Sequence, residues 1–219
     1  MREFKAAIFD LDGTLLDSMG VWETVDIEFL GKRNLDLPED YLEAVTPMGF
    51  EAAADYTVKR FGLKEDPEAI IQEWYSMAKD AYRNTVALKP NVREYLGLLK
   101  ERGVRIAAAT SSDEELFKPA LVNNGIDGYF EHIVTVRDVT RGKGYPDIYE
   151  EAAARMQVKP KESAVFEDIL KGIEGARAGG FLAVGVYDRY SEYEKEAMIA
   201  LADRYIYDFG ELMEGEYNI

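Results

Sequence analysis

Four short segments of the 219-residue chain place polar side chains where apolar runs stop. They are Asp10-Leu11-Asp12-Gly13-Thr14, Thr110-Ser111-Ser112, Gly142-Lys143-Gly144-Tyr145-Pro146-Asp147 and Glu167-Asp168. If these ends converge, Asp10, Asp12, Glu167 and Asp168 share a small volume with no histidine or cysteine among them. That donor set suits a hard, oxygen-loving cation, and Mg2+ fits best. Such an ion would relieve the repulsion among the acids and let a phosphate dianion approach, with Lys143 adding a further positive charge. Each residue also has a plainer use. A strand-end Asp-x-Asp is often a turn, Thr110 can lead into a helix cap at Ser112, Asp168 can cap the next helix, and a lone lysine is usually solvated. Their order along the chain and their placement at strand ends favour the chemical reading.

The elements that must position these residues are legible from hydrophobic patterning. Ala6 to Phe9, Val104 to Ala109, His132 to Val136, Ser163 to Phe166 and Phe181 to Val186 are short apolar runs bounded by turn residues, as buried parallel strands are. From Lys89 onward they alternate with helical patterns. The expected fold class is therefore α/β, a doubly wound parallel sheet with right-handed crossovers. Ligands in such sheets sit beyond the carboxyl ends of the strands, where the four segments fall. Ser112 with Glu115 reads as a capping box, Pro146 as a first helical residue, and Gly179-Gly180 as the stop of a helix.

Between Asp17 and Ala87 the alternation fails. Three helical stretches, about Met19 to Lys32, Phe50 to Phe61 and Pro67 to Asn84, predict an all-helical insert over residues 17–87, with the α/β core formed by 1–16 and 88–219. Hinges are expected near Leu15 to Ser18 and Val86 to Pro90, and a movable lid follows.

Bulk properties narrow the function classes. A formal net charge of −16 disfavours broad binding to nucleic acid or anionic membranes. The absence of cysteine excludes disulfides, thiolate metal sites and a cysteine nucleophile, and a single histidine, His132, excludes a multi-histidine metal site. No secretory h-region and no spanning apolar run is found, so the expectation is a cytoplasmic protein; it is also expected to be a monomer.

In order and content, the four segments resemble the four motifs of the haloacid dehalogenase-like (HAD) superfamily, over Phe9 to Gly180. Asp10-x-Asp12-Gly13-Thr14 is similar to the first, Thr110 to the second, Lys143 ahead of Pro146-Asp147 to the third, and Phe166-Glu167-Asp168 with Gly172-Ile173 and Ala178-Gly179 to the fourth. The insert resembles the helical cap of the β-phosphoglucomutase and phosphoglycolate phosphatase group. This resemblance implies that Asp10 is a nucleophile forming an aspartyl phosphate and that Asp12 is the general acid and base. It implies that the Leu11 amide, Thr110, Ser111 and Lys143 hold the phosphoryl group, and that Asp10, the Asp12 carbonyl, Glu167 and Asp168 hold magnesium. The two-residue spacing suits this, because residues i and i+2 of an extended chain face one side.

The chain departs from the pattern at Gly144, where a proline commonly follows the lysine, and at Ile169, where a serine often follows the acidic pair. The implied activity is hydrolysis of a small phosphorylated metabolite, with a sugar phosphate as one candidate class. A sugar phosphomutase is the alternative, and a phosphate-binding or phosphoacceptor module without turnover the third reading. Hydrolysis is favoured because Trp22 stands where the resembling mutases carry a histidine, and Gly49-Phe50-Glu51 where they carry an arginine. Thr46-Pro47-Met48-Gly49-Phe50 resembles the cap loop that faces substrate in relatives, although Trp22, Met48 and Phe50 are more often lid core. Lys79 is a candidate anion contact, with a solvated lysine the plainer reading.

Overall fold

The computed structural model of the protein describes residues 4–45, 48 and 50–213. Thr46, Pro47 and Gly49 of the expected cap loop lie outside them. The chain divides into two compact units, Met1–Met19 with Val86–Ile219, and Gly20–Thr85.

The first unit is built on a six-stranded sheet. Its strands are β1 (Ala6–Phe9), β2 (Arg105–Thr110), β3 (His132–Thr135), β4 (Ser163–Glu167), β5 (Leu182–Val186) and β6 (Arg204–Ile206). The order is β3-β2-β1-β4-β5-β6 and every pairing is parallel. β1 lies centrally, with Phe9 opposite Ala108 on one side and Phe166 on the other. Strand order reverses there, which makes the end of β1 the switch point where a crevice opens in doubly wound sheets.

Alternation along β1 and β4 sorts the two faces. Ala6, Ile8 and Val165 pack with Ile148, Tyr149, Ala152 and Ile173 in one apolar layer. Phe9 turns to the other face and stacks on Phe166 at 4.4 Å, with Tyr95 and Phe209 completing an aromatic cluster. The period of two then directs Asp10 and Glu167, two residues beyond Ile8 and Val165, toward the first face.

The second unit is helical: α1 (Val21–Gly31), α2 (Tyr41–Val45), α3 (Phe50–Phe61) and α4 (Pro67–Asn84). No strand occurs there among the described residues. Asp66 caps α4 by accepting from the Glu68 amide at 3.0 Å, and Pro67 occupies the first turn, where a missing N–H costs nothing. Ile70, Trp74, Ala78 and Tyr82 form a buried stripe at four-residue intervals, against which Phe29 sets its ring 5.4 Å from Trp74. Trp22 packs on Phe50 at 5.2 Å and Phe50 on Tyr75 at 5.9 Å, so the two aromatics of the expected lid core do pack together. The Lys79 ammonium sits 5.5 Å from the Tyr75 ring.

One local expectation is corrected. The helix after β2, α6, runs Glu114–Asn123 with Asp113 at its cap position, and the Ser112 amide donates to Thr110 Oγ1 at 3.0 Å in a tight turn. Ser112 and Glu115 therefore form no capping box. β6 was not expected, because three residues at a sheet edge leave no buried run to read. The remaining helices of this unit are α5 (Val92–Glu101), α7 (Asp147–Arg155), α8 (Leu170–Ala178) and α9 (Lys195–Leu201). No described helix is long and apolar enough to cross a membrane.

Candidate active site

The end of β1 delivers Asp10 and the end of β4 delivers Glu167 and Asp168, all three buried. Their carboxylate oxygens lie within 4.8 Å of one another. Lys143 reaches them from the loop before α7, with its side chain only 9% exposed. Its ammonium pairs with Asp10 Oδ1 and, at 2.8 Å, with Glu167 Oε1. Tyr149 Oη on α7 donates to the same Glu167 oxygen at 2.8 Å. Thr14 Oγ1 donates to Asp168 Oδ1 at 3.1 Å.

Two oxygens stay unsatisfied. Glu167 Oε2 and Asp168 Oδ2 are fully buried with no hydrogen-bond partner. A buried acceptor without a donor costs free energy, on the order of 1–3 kcal/mol, unless a ligand completes it. Three carboxylates against one ammonium leave two formal negative charges, the complement of a divalent cation. All the donors are oxygens, and the residues present fit Mg2+.

Electrostatics point the same way. Burial pushes the Asp10 carboxyl above its ordinary range, with Lys143 pulling it back and Asp12 adding to the rise. Burial likewise brings Glu167 up to about 7, opposed by Lys143 and reinforced by Asp10. Asp168 is lifted well above the carboxylate range by burial and then by the charges of Asp10 and Glu167. Burial works against the Lys143 ammonium, but Asp10 and Glu167 outweigh it and hold its pKa above the usual lysine value. Acids raised by burial and mutual repulsion around a firmly charged lysine form a site short of positive charge.

The other expected residues stand on the turn after β1 and at the end of β2. Asp12 is half-buried, and Ser18 Oγ donates to its Oδ1 at 2.6 Å. Its carboxylate is not one of the three that converge. Thr110 is buried and holds the turn through the Ser112 amide, while Ser111 is exposed. Leu11 is buried, with its carbonyl accepting from the Leu15 and Leu16 amides in the turn after β1.

Sequence alone assigns no role to Thr14, Ser18, Lys89, Tyr149 or Asp188. Lys89 Nζ donates to Gly13 O at 2.8 Å, Tyr187 O at 2.6 Å and Asp188 Oδ2 at 2.7 Å, so its three donors tie the turn that follows Asp10 to the segment after β5. Thr14 stands within the first motif, and Ser18 and Tyr149 lie close enough to motif residues for local spacing to have flagged them.

The model of one family, haloacid dehalogenase-like hydrolase, matches residues 4–180. The chain belongs to that family. Among its HAD relatives, hexitol phosphatase B of Escherichia coli (strain K12) is 23% identical over 204 residues, covering 92% of this chain and 91% of that protein. Fructose-1-phosphate phosphatase YqaB of the same strain is 28% identical over 185 residues, covering 84% and 97%. A HAD family hydrolase from Deinococcus radiodurans R1, solved with bound phosphate and sodium, superposes with a TM-score of 0.76 at 25% identity, covering 95% of this chain and 93% of that one. The relatives of this HAD chain thus include phosphoric monoester hydrolases, and the six-stranded parallel sheet is the HAD core.

Proposed function

We propose that this HAD hydrolase is a magnesium-dependent phosphatase that cleaves a small phosphorylated metabolite, a sugar phosphate in the first instance, through an aspartyl phosphate on Asp10. The observation that carries the reading is the buried cluster of Asp10, Lys143, Glu167 and Asp168, with two carboxylate oxygens left unsatisfied. The named activities of the hexitol and fructose-1-phosphate phosphatases support the substrate class.

In this mechanism Lys143 opposes the effect of burial on Asp10, whose Oδ1 or Oδ2 attacks phosphorus as the carboxylate while the ester oxygen departs. Asp12, outside the converging triad and held through Ser18, gives its proton to that oxygen. The Asp12 carboxylate then takes a proton from water as the water attacks phosphorus, and Asp10 is released as carboxylate. Thr110 Oγ1 and the amides of Leu11 and Ser111 receive phosphoryl oxygens, and Lys143 balances their charge. Asp10, Glu167, Asp168 and the Asp12 carbonyl would hold magnesium, whose charge would screen these acids from the incoming dianion. Discrimination among esters we assign to the Gly20–Thr85 unit.

Trp22, in place of the mutase histidine, supports water as the acceptor rather than a second sugar hydroxyl. The deciding experiment incubates purified protein and Mg2+ with a panel of phosphorylated metabolites, β-glucose 1-phosphate and a bisphosphate primer included, and follows both free phosphate and isomerised ester. Phosphate release that chelation abolishes and magnesium restores is the expected result. Full activity after chelation, or glucose 6-phosphate formed well in excess of phosphate, would overturn the reading.

A further inference from the structure

Glu167 is held asymmetrically. Both donors that reach it, Lys143 Nζ and Tyr149 Oη, converge on Oε1 at 2.8 Å each, and Oε2 is buried with none. Behind the carboxylate runs the backbone of α8, where a β-carbon at Gly172 would overlap Cδ and Oε2 of Glu167 and stand 2.6 Å from its Cγ, so Oε2 is the oxygen that lies against α8. Glu167 can therefore neither swing toward α8 nor rotate to exchange its oxygens without breaking two hydrogen bonds.

The two donors differ in what turnover asks of them. Lys143 is shared with Asp10 and, on the proposed mechanism, must turn its charge to the transferring phosphoryl group. Tyr149 has no such second duty. Its ring is fully buried in the apolar layer beneath the sheet and meets Phe181 edge-on at 6.1 Å, so the hydroxyl is delivered by a rigid body of core.

We propose that Tyr149 is a positioning residue for the cation site: its hydroxyl locks Glu167 through Oε1, so that the carboxylate keeps its orientation toward a divalent cation whether or not Lys143 is engaged elsewhere. This rests on reading Asp10, Glu167 and Asp168 as a cation site. The partners that orient a metal ligand typically govern affinity by 10–100-fold, and a hydroxyl donor to a carboxylate belongs to that class. Its signature in sequence is faint, a tyrosine three residues after Pro146 with nothing local to bond.

Tyr149→Phe separates the two functions of the side chain, because the ring stays in the core and only the donor is lost. Mn2+ binding to the full-length protein, followed by electron paramagnetic resonance without substrate, reads the site independently of turnover. Tyr149→Phe is expected to weaken Mn2+ binding by roughly 10-fold or more. Raising Mg2+ should recover most of kcat, with KM for substrate at saturating metal little changed. In a Glu167→Gln background the same substitution should add little further loss of Mn2+ affinity, because the group it orients has gone. Unchanged Mn2+ affinity in Tyr149→Phe, while Glu167→Gln weakens it, would overturn the positioning role alone, even if the variant melts at lower temperature. Equal losses from Tyr149→Phe in both backgrounds would also overturn it. Failure of wild-type protein to bind Mn2+, or indifference to both Glu167→Gln and Asp168→Asn, would instead reject the cation site beneath it.

Discussion

The Gly13 α-carbon faces the Asp168 carboxylate so closely that a β-carbon there would overlap Oδ2 and lie 2.7 Å from Cγ. Gly13 also has φ +83°, in the region L side chains avoid. The turn after β1 and the acid after β4 thus fit only if residue 13 has no side chain. Gly13→Ala should cost about 1–2 kcal/mol from the backbone conformation alone. Displacement of Asp168 should add to this and lower both activity and Mn2+ affinity. Thermal unfolding and Mn2+ titration together check it, and wild-type metal affinity in the variant would refute the close fit.

Asp10→Asn keeps the size of the side chain and an acceptor for Lys143 but removes the nucleophilic charge. The variant should fold as the parent does and lose turnover by on the order of 10^3-fold or more. Circular dichroism and phosphate release are the two measurements. Substantial turnover by purified variant would reject Asp10 as the phosphoryl acceptor.

Lys89 and Asp188 form a buried ion pair at 2.7 Å, with Lys89 12% and Asp188 3% exposed. Lys89→Met leaves Asp188 without its counter-charge and the Gly13 carbonyl without a donor. Removing one partner of such a pair costs about 3–5 kcal/mol. Urea unfolding should show that loss, and Lys89→Met combined with Asp188→Leu should recover part of it. A cost under about 1 kcal/mol, as for solvated pairs, would show that the pair does not brace the turn.

Asp26, on α1, has its carboxyl pushed up to about 7 by burial, from an ordinary value of 3.8. Between those values the folded state keeps a proton that the unfolded chain releases. The contribution of this group to stability is therefore fully present below about pH 4 and lost as pH rises through about 7. Asp26→Asn cannot ionise, so its melting temperature should exceed that of the parent at about pH 8 and converge with it near pH 4. Parallel melting curves for the two proteins across that range would contradict the assignment.

The placement of these acids at strand ends was legible in the chain because it is written locally. Asp10, Thr110 and Glu167-Asp168 each end an apolar run, and runs of that length and composition report a buried strand without knowledge of its neighbours. Helix α4 was equally readable, since the Asp66 cap, Pro67 and the four-residue stripe are all local signals. Tertiary structure decided what joins distant segments. Lys89 lies 76 residues from Gly13 in the chain and Tyr149 lies 18 from Glu167, and no periodicity links either pair. Ser112 shows the converse: its spacing to Glu115 satisfied a cap pattern, yet the Thr110 hydroxyl took its amide and the helix began beyond it. Local patterns determine which residues stand at strand ends because burial and backbone geometry act over a few residues. Which donor meets which carboxylate depends on strand order and on the layer packed beneath the sheet, and these exist only once the chain has folded.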